Sequence, residues 1–315
     1  MSTLVLGSLT LGDGKIIVGW TLFATNSIVE NFPLIYNKIV SACNSVKLLT
    51  GVATRGIIIC DALYSVSVLT QIACVIAASV YGAVFISEDL ELIETGHLFT
   101  PSIVISPNDA KSVIKYAKSA QIPFANINFQ QTFVGIKPSP AAAYYTSRGP
   151  SASYLGILKP NVMAPGSNVL AAFVPNKHSA KIGTNVFLSS DYNLLSGTSM
   201  ACPHASGVVA LLKAAHPDWS VAAIRSALVT TANPLDNTPN PVRDNGNPFQ
   251  YASPLAMGAG EIEPNRTLDP GLIYDATSQN YVNLLCALGY TNNKMLTLIY
   301  DAIVSKSSPL DPTAI

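Results

Sequence analysis

Residues 192 to 196 read as a short strand that passes, with no intervening loop, through Gly197 and Thr198 into Ser199 and a helical pattern reaching residue 215. Val208, Val209, Leu211 and Leu212 recur there at helical spacing, Gly207 permits close packing, and His216-Pro217 stops the run. A second helix follows from an N-cap at Asp218 or Ser220 through Ala223, Ile224, Ala227 and Leu228 to Thr231. A strand feeding directly into a helix is an α/β element, and this one leaves the Ser199 hydroxyl at the helix start.

That position suits acyl chemistry. The first N–H groups of a helix lack an intrahelical acceptor, and together with the helix dipole they favour negative charge developing on an oxygen. Pro203 fits such a start, because an N–H missing from the first four helical positions costs little. Taken alone, Gly-x-Ser-x-Ala is a weak signal, because a serine at a helix start is most often only an N-cap.

Upstream, residues 9 to 20 read as two strands joined at Asp13-Gly14, a strong hairpin signal. Short β-rich runs at 34–36, 56–60, 83–86, 102–105 and 122–129 then alternate with two helical patterns, 66–79 and 107–119, the latter capped by Ser106 or Asn108. Near residue 135 the grammar changes to Pro-rich punctuation, followed by a strand at 169–174. These features predict a β-rich module with helices, then an α/β segment.

Composition removes several function classes. Lys+Arg and Asp+Glu number 18 each, only 11% of the chain is charged, and no window gathers more than two or three positive side chains. Electrostatic partners such as nucleic acid or an anionic membrane are excluded. The apolar run 72–86 is interrupted by Ser79, Tyr81 and Gly82 and is shorter than the roughly 20 residues of a membrane span; it reads as a buried helix leading into a core strand. No Lys or Arg precedes Lys15, so a signal peptide's basic flank is missing. The five cysteines (Cys43, Cys60, Cys74, Cys202, Cys286) are odd in number and contain no CxxC pair, so neither a zinc site nor a redox dithiol is expected. The sequon Asn265-Arg266-Thr267 is compatible with secretion.

The string from Ser196 to Gly207, Ser-Gly-Thr-Ser-Met-Ala-Cys-Pro-His-Ala-Ser-Gly, resembles the nucleophile block of the subtilisin-like serine proteases nearly letter for letter. The stretches 145–150, 158–166, 211–231 and 268–275 extend the resemblance to the plant branch, and 31–133 resembles its protease-associated insert. The resemblance implies an α/β fold: a remnant catalytic hairpin at 1–30, the insert at 31–133, the C-terminal part of a parallel-sheet catalytic domain at 134–292 and a tail at 293–315. It further implies a chain truncated at both ends, a protein or peptide substrate, self-association through the insert, secretion, and no cofactor or metal. Ser199 is the implied nucleophile, its backbone N–H also serving as an oxyanion donor.

The rest of the triad is not found. No Asp-Thr-Gly, Asp-Ser-Gly or His-Gly-Thr-His block exists, and the upstream Ala-Gly-Asn that would supply the oxyanion-hole asparagine is absent. His204 lies five positions along the helix, about 140° around its axis from Ser199, and reads as a packing residue. His97, His178 and His216 read as loop or helix-end residues, Asp244-Asn245-Gly246 as a turn, and Asn161, where the family has Asp, as structural. An α/β-hydrolase esterase wants glycine at 201, where Ala stands, with its acid and base downstream. The expectation is a subtilase-family chain inactive by itself, its Ser199 and Ser220 helices uncovered on their apolar faces; the alternative is a non-catalytic interaction module built on the insert.

Overall fold

The structure, a computed structural model, describes residues 3–21, 23, 28–53, 55–61, 66–87, 98–135, 137–246, 250–290, 293–294 and 296–297. Two compact units emerge: residues 1–205 with 234–261, and residues 206–233 with 262–315.

Seven strands of the first unit, β1 (Thr3–Leu11), β2 (Ile16–Trp20), β3 (Ile28–Ile35), β4 (Ile57–Cys60), β5 (Gly82–Ile86), β6 (Ser102–Ile105) and β7 (Phe124–Val134), close a barrel in the order β1-β2-β6-β5-β4-β3-β7. β3 to β6 run parallel; β1, β2 and β7 are antiparallel to their neighbours. The Asp13-Gly14 hairpin forms as read: Gly14 takes φ +86°, its N–H bonds to the Leu11 carbonyl at 2.9 Å, and Lys15 N–H bonds to Asp13 Oδ1 at 3.0 Å. Its place in the fold differs from the expected catalytic remnant at 1–30. β1 pairs along its length with β7, and β2 reaches β6, so the hairpin closes the barrel formed with residues 31–133. A short-range hairpin signal cannot say which distant edge the hairpin will join.

β4, β5 and β6 are buried on both faces, as their short, largely apolar runs require, whereas β3 exposes Glu30, Asn31 and Pro33. Ile57 and Ile59, Val84 and Ile86, and Ile103 and Ile105 enter one core with residues from all seven strands, while Ile58, Ala83, Phe85 and Val104 enter a second with Leu49 and Val75. Each fully buried isoleucine contributes about 2 to 3 kcal/mol. Three helices cover these cores: α1 (Val46–Val52), α2 (Val68–Ala77) and α3 (Pro107–Ser119). Ser45, Ser67 and Ser106 cap them, Ser106 Oγ accepting from Asp109 N–H at 3.1 Å, which settles the cap of α3 on Ser106 and not Asn108. α1 was not legible as a helix because it is short. α2 buries only Gln71 and Val75, with Leu69 exposed, so it lies half on the surface and is not the buried helix its composition suggested.

Beyond Val134 the first unit continues in short pairs. β8 (Ala141–Ala142) lies parallel to β13 (Arg243–Asp244), which also pairs with β14 (Gln250–Tyr251). β9 (Val169–Ala172) is antiparallel to β12 (Tyr192–Leu195), and β10 (Ala180–Ile182) to β11 (Val186–Leu188). The parallel strands of this α/β fold thus lie chiefly at β3 to β6, with β8 and β13 the parallel strand pair among the described residues after 134. Ala142, Val242, Ala252, Ala256 and Met257, backed by Met163, form the local core around α6 (Pro254–Met257).

α4 (Thr198–Ala215) leads from the first unit's residues into the second's, which adds α5 (Val221–Thr231), α7 (Pro264–Thr267) and α8 (Ser278–Ala287). α4 buries only Val208 and Leu212, and Leu211 is 65% exposed, the uncovered surface expected of it. The same expectation fails for α5: Ala222, Ala223, Ile224, Ala227, Leu228 and Thr231 are buried. Part of the cover is α7, where Thr231 Oγ1 meets Thr267 Oγ1 at 2.9 Å. Ser220, not Asp218, caps α5, its Oγ accepting from Ala223 N–H at 3.0 Å while donating to Asp275.

Candidate active site

Two separated stretches build the start of α4. The antiparallel pairing of β9 with β12 sets Val169 opposite Leu195, which brings the preceding Pro165-Gly166-Ser167 turn alongside Ser196-Gly197. Gly197 N–H bonds to the Gly166 carbonyl at 2.9 Å, and Ser196 Oγ accepts from Asn168 N–H at 2.9 Å. A Cβ at Gly166 would meet the Gly197 oxygen at 3.0 Å and Ala201 Cβ at 3.1 Å. Tyr145 and Ser167 close the same turn with a hydroxyl contact of 2.7 Å. Gly197 itself adopts φ +153°, a conformation that side-chain-bearing residues rarely take, and this turns the strand end into the helix.

The helix opens as its sequence requires. Met200 and Ala201 N–H groups bond to the Gly197 carbonyl at 3.0 and 3.3 Å. Those of Thr198 and Ser199 have no acceptor among the described residues, and the Ser199 side chain is exposed at this end. An exposed hydroxyl beside two unengaged N–H groups at the positive end of an 18-residue helix is an arrangement that accepts an anionic oxygen. Pro203 falls at the sixth residue of α4, past the first turn where its missing N–H would have been harmless. The bond it removes is the one to the Ser199 carbonyl, one turn back.

The histidines stand elsewhere. His204 turns its Nδ1 onto the Met200 carbonyl at 2.9 Å within α4; since a carbonyl only accepts, Nδ1 carries the proton. His178 packs on Phe187 at 4.5 Å between ring centroids. His216 stacks on Trp219 at 4.0 Å and bonds through Nε2 to the Leu268 carbonyl at 2.8 Å. His97 lies outside the described residues. No described histidine or carboxylate hydrogen-bonds to Ser199, and no cluster of three metal-ligating side chains occurs among the described residues.

The remaining motif residues act as framework. Arg148 donates to the Tyr144 carbonyl at 3.0 Å and the Thr146 carbonyl at 3.3 Å, and pairs with the buried Asp244 carboxylate. Asp244 in turn accepts from Gly246 N–H at 2.9 Å, so Asp244-Asn245-Gly246 is a turn held by an ion pair. Asn161 accepts from Lys159 Nζ at 2.6 Å, and its carbonyl from Ala259 N–H at 2.9 Å, a structural position. Gly258, φ +64°, passes so close to Asn161 that a Cβ would overlap its carbonyl. The role of Arg148 was not legible from sequence, since its partner is 96 residues away.

A family model described as the subtilase family, peptidase S8, matches residues 39–259. The chain belongs to the subtilase family of serine proteases. It is 49% identical over 294 residues to the subtilisin-like protease SBT3 of Solanum lycopersicum, an alignment covering 93% of this chain and 38% of that protein. It is 47% identical over 182 residues to SBT1.5 of Arabidopsis thaliana, covering 58% and 23%, and 38% identical over 290 residues to SBT1.6 of the same plant, covering 89% and 37%. The chain thus spans well under half the length of these relatives. Among solved structures, an aminopeptidase from Aneurinibacillus sp. strain AM-1 aligns over 42% of this chain and 32% of that one at 12% identity and a TM-score of 0.29, too low to carry an argument. No helix among the described residues is long and apolar enough to cross a membrane.

Proposed function

We propose that this chain carries the nucleophile and the backbone oxyanion donor of a plant-type serine endopeptidase. The observation that supports this most directly is the Ser199 hydroxyl at the opening of α4, exposed beside N–H groups with no acceptor. In the acyl-transfer reaction Ser199 Oγ bonds to the scissile carbonyl carbon and its proton passes to a general base. The base returns that proton to the leaving amine as the C–N bond breaks, and water then hydrolyses the acyl-enzyme. The oxyanion of each tetrahedral intermediate faces the helix N-terminus.

The 315-residue chain alone is inactive in this reading, because no base, orienting aspartate or oxyanion-hole asparagine stands at Ser199 among the described residues. Loss of the base costs on the order of 10⁶ in kcat, as in subtilisin itself. The barrel formed by residues 3–134 is the protease-associated insert, and its buried disulfide supports maturation in an oxidising, secretory environment. The barrel's double core, drawn from residues 3–134 with Ile182 packed against it, favours a second reading, in which it serves as an interaction module, self-association included, whether or not Ser199 is active.

A fluorophosphonate probe separates these statements. Ser199 in the isolated chain labels at the rate of an ordinary serine hydroxyl, and labelling accelerates when the N-terminal half of the tomato relative is co-expressed; Ser199→Ala stays unlabelled. Rapid labelling of the isolated chain overturns its inactivity, and no acceleration with both halves soluble overturns the acyl-transfer reading.

A further inference from the structure

A second cluster of functional groups lies on the barrel. Tyr36 directly follows β3 and Asp61 directly follows β4, so both stand at the carboxyl ends of adjacent parallel strands, the edge at which α/β sheets commonly hold ligands. A groove of about 570 Å³ opens there, lined by Tyr36, Asp61, Ile114, Lys111, Lys115 and Lys118, with Ser119 at its rim. The three lysines lie four and three residues apart on α3, which places them within about 60° of one another around the helix axis. All three are exposed, and none forms an ion pair among the described residues.

The rest of the lining is arranged around them. Tyr36 donates to Asp61 Oδ2 at 2.8 Å and offers its ring to Lys118 Nζ at 4.9 Å, which leaves Asp61 Oδ1 without a partner among the described residues. Three lysines and one carboxylate line the groove together with Ile114 and the tyrosine ring. A plain solvated lysine face would not include the carboxylate acceptor.

We propose that this groove binds an acidic peptide segment, whose carboxylates pair with Lys111, Lys115 and Lys118 while a backbone N–H donates to Asp61. The spacing fits an extended peptide with acidic residues at alternate positions. Such residues are roughly 6.6 Å apart, and the helix rise separates Lys111 from Lys115 by about 6 Å and Lys115 from Lys118 by about 4.5 Å. Asp61 would repel a ligand that carried only negative charge.

The test is fluorescence anisotropy with the full chain and a dye-labelled, acetylated pentapeptide carrying Glu at alternate positions, at low ionic strength. Binding falls about tenfold in Lys111→Gln/Lys115→Gln/Lys118→Gln, the combined effect of three exposed ion pairs, and is unchanged in the equally charged control Lys15→Gln/Lys47→Gln/Lys177→Gln. The matching Gln peptide does not bind. Equal loss in both variants, equal binding of the Gln peptide, or preference for a uronic-acid oligosaccharide overturns the proposal. So does binding that appears only after Glu88, Asp89, Glu91 and Glu94 are neutralised, which would assign the groove to the chain's own acidic run. Because no cleavage is read, the outcome is independent of whether Ser199 is a working nucleophile.

Discussion

Cys43 and Cys60, both fully buried, form a disulfide with a sequence separation of 17 in the second core of the barrel. It ties the segment before α1 to the end of β4. Removing the cross-link frees a loop of that length in the unfolded chain, a loss of about 3 kcal/mol from loop closure alone. Cys43→Ala/Cys60→Ala is the suitable perturbation, because serine would also bury two hydroxyls among apolar neighbours. Trp20 packs against this core and reports the barrel by fluorescence once Trp219 in the second unit is replaced by Phe. With urea m-values of about 1 to 3 kcal/mol/M, the midpoint falls by roughly 1 to 3 M. A thiol assay on the denatured, unreduced wild-type chain should find three reactive groups, Cys74, Cys202 and Cys286. Five thiols would refute the pairing, and a midpoint shift below about 0.3 M would refute the loop-closure reasoning.

Three further outcomes follow from charged and polar contacts. Arg148→Ala leaves the Asp244 carboxylate buried with a single N–H donor, and because the guanidinium is one-third exposed the expected loss is about 2 kcal/mol, read as a lower unfolding midpoint that Arg148→Lys only partly restores. The side-chain hydrogen bond from Thr238, with N–H groups of Thr238 and Asn240, holds the Asp236 carboxyl below its usual range. Its stabilising effect is therefore present above the unfolded value near 4 and lost as pH falls through the lower folded value, so urea midpoints of wild type and Asp236→Asn should differ at pH 7 and converge in acid. Burial first, then the hydrogen bond to and charge of Asp61, push the Tyr36 phenol up to about 12. Its contribution is complete below the unfolded value near 10 and is lost as pH rises through about 12. A phenolate difference titration of wild type against Tyr36→Phe should show one late-ionising group, and a midpoint at 10 would sink this assignment.

Much of the site was readable because it is local. Ser196 to Gly207 encodes a strand end, a glycine with φ +153° and a helix start within a dozen neighbouring residues, and the structure places Ser199 where that grammar puts it. The helices α3 and α5 were likewise legible from apolar spacing and capping serines, although the choice of Ser106 over Asn108 and of Ser220 over Asp218 depended on which side chain reached the free N–H. Pro203 shows the limit even at short range: the helix begins at Thr198, two residues earlier than a start that would put Pro203 in the first four positions, so the Ser199 carbonyl falls inside the helix and loses its donor.

The sequence alone determined the strand and helix periodicities, the family resemblance and the place of Ser199 at a helix start, because each is carried by adjacent residues. Only the tertiary structure decided that the 13–14 hairpin closes the barrel, that Cys43 pairs with Cys60 among five cysteines, that Arg148 meets Asp244, and that Tyr36, Asp61 and the α3 lysines share a groove. These are contacts between segments well apart in the chain. Which of many chemically acceptable partners meet is set by the simultaneous packing of all seven strands and their helices, and no single stretch of sequence contains that constraint.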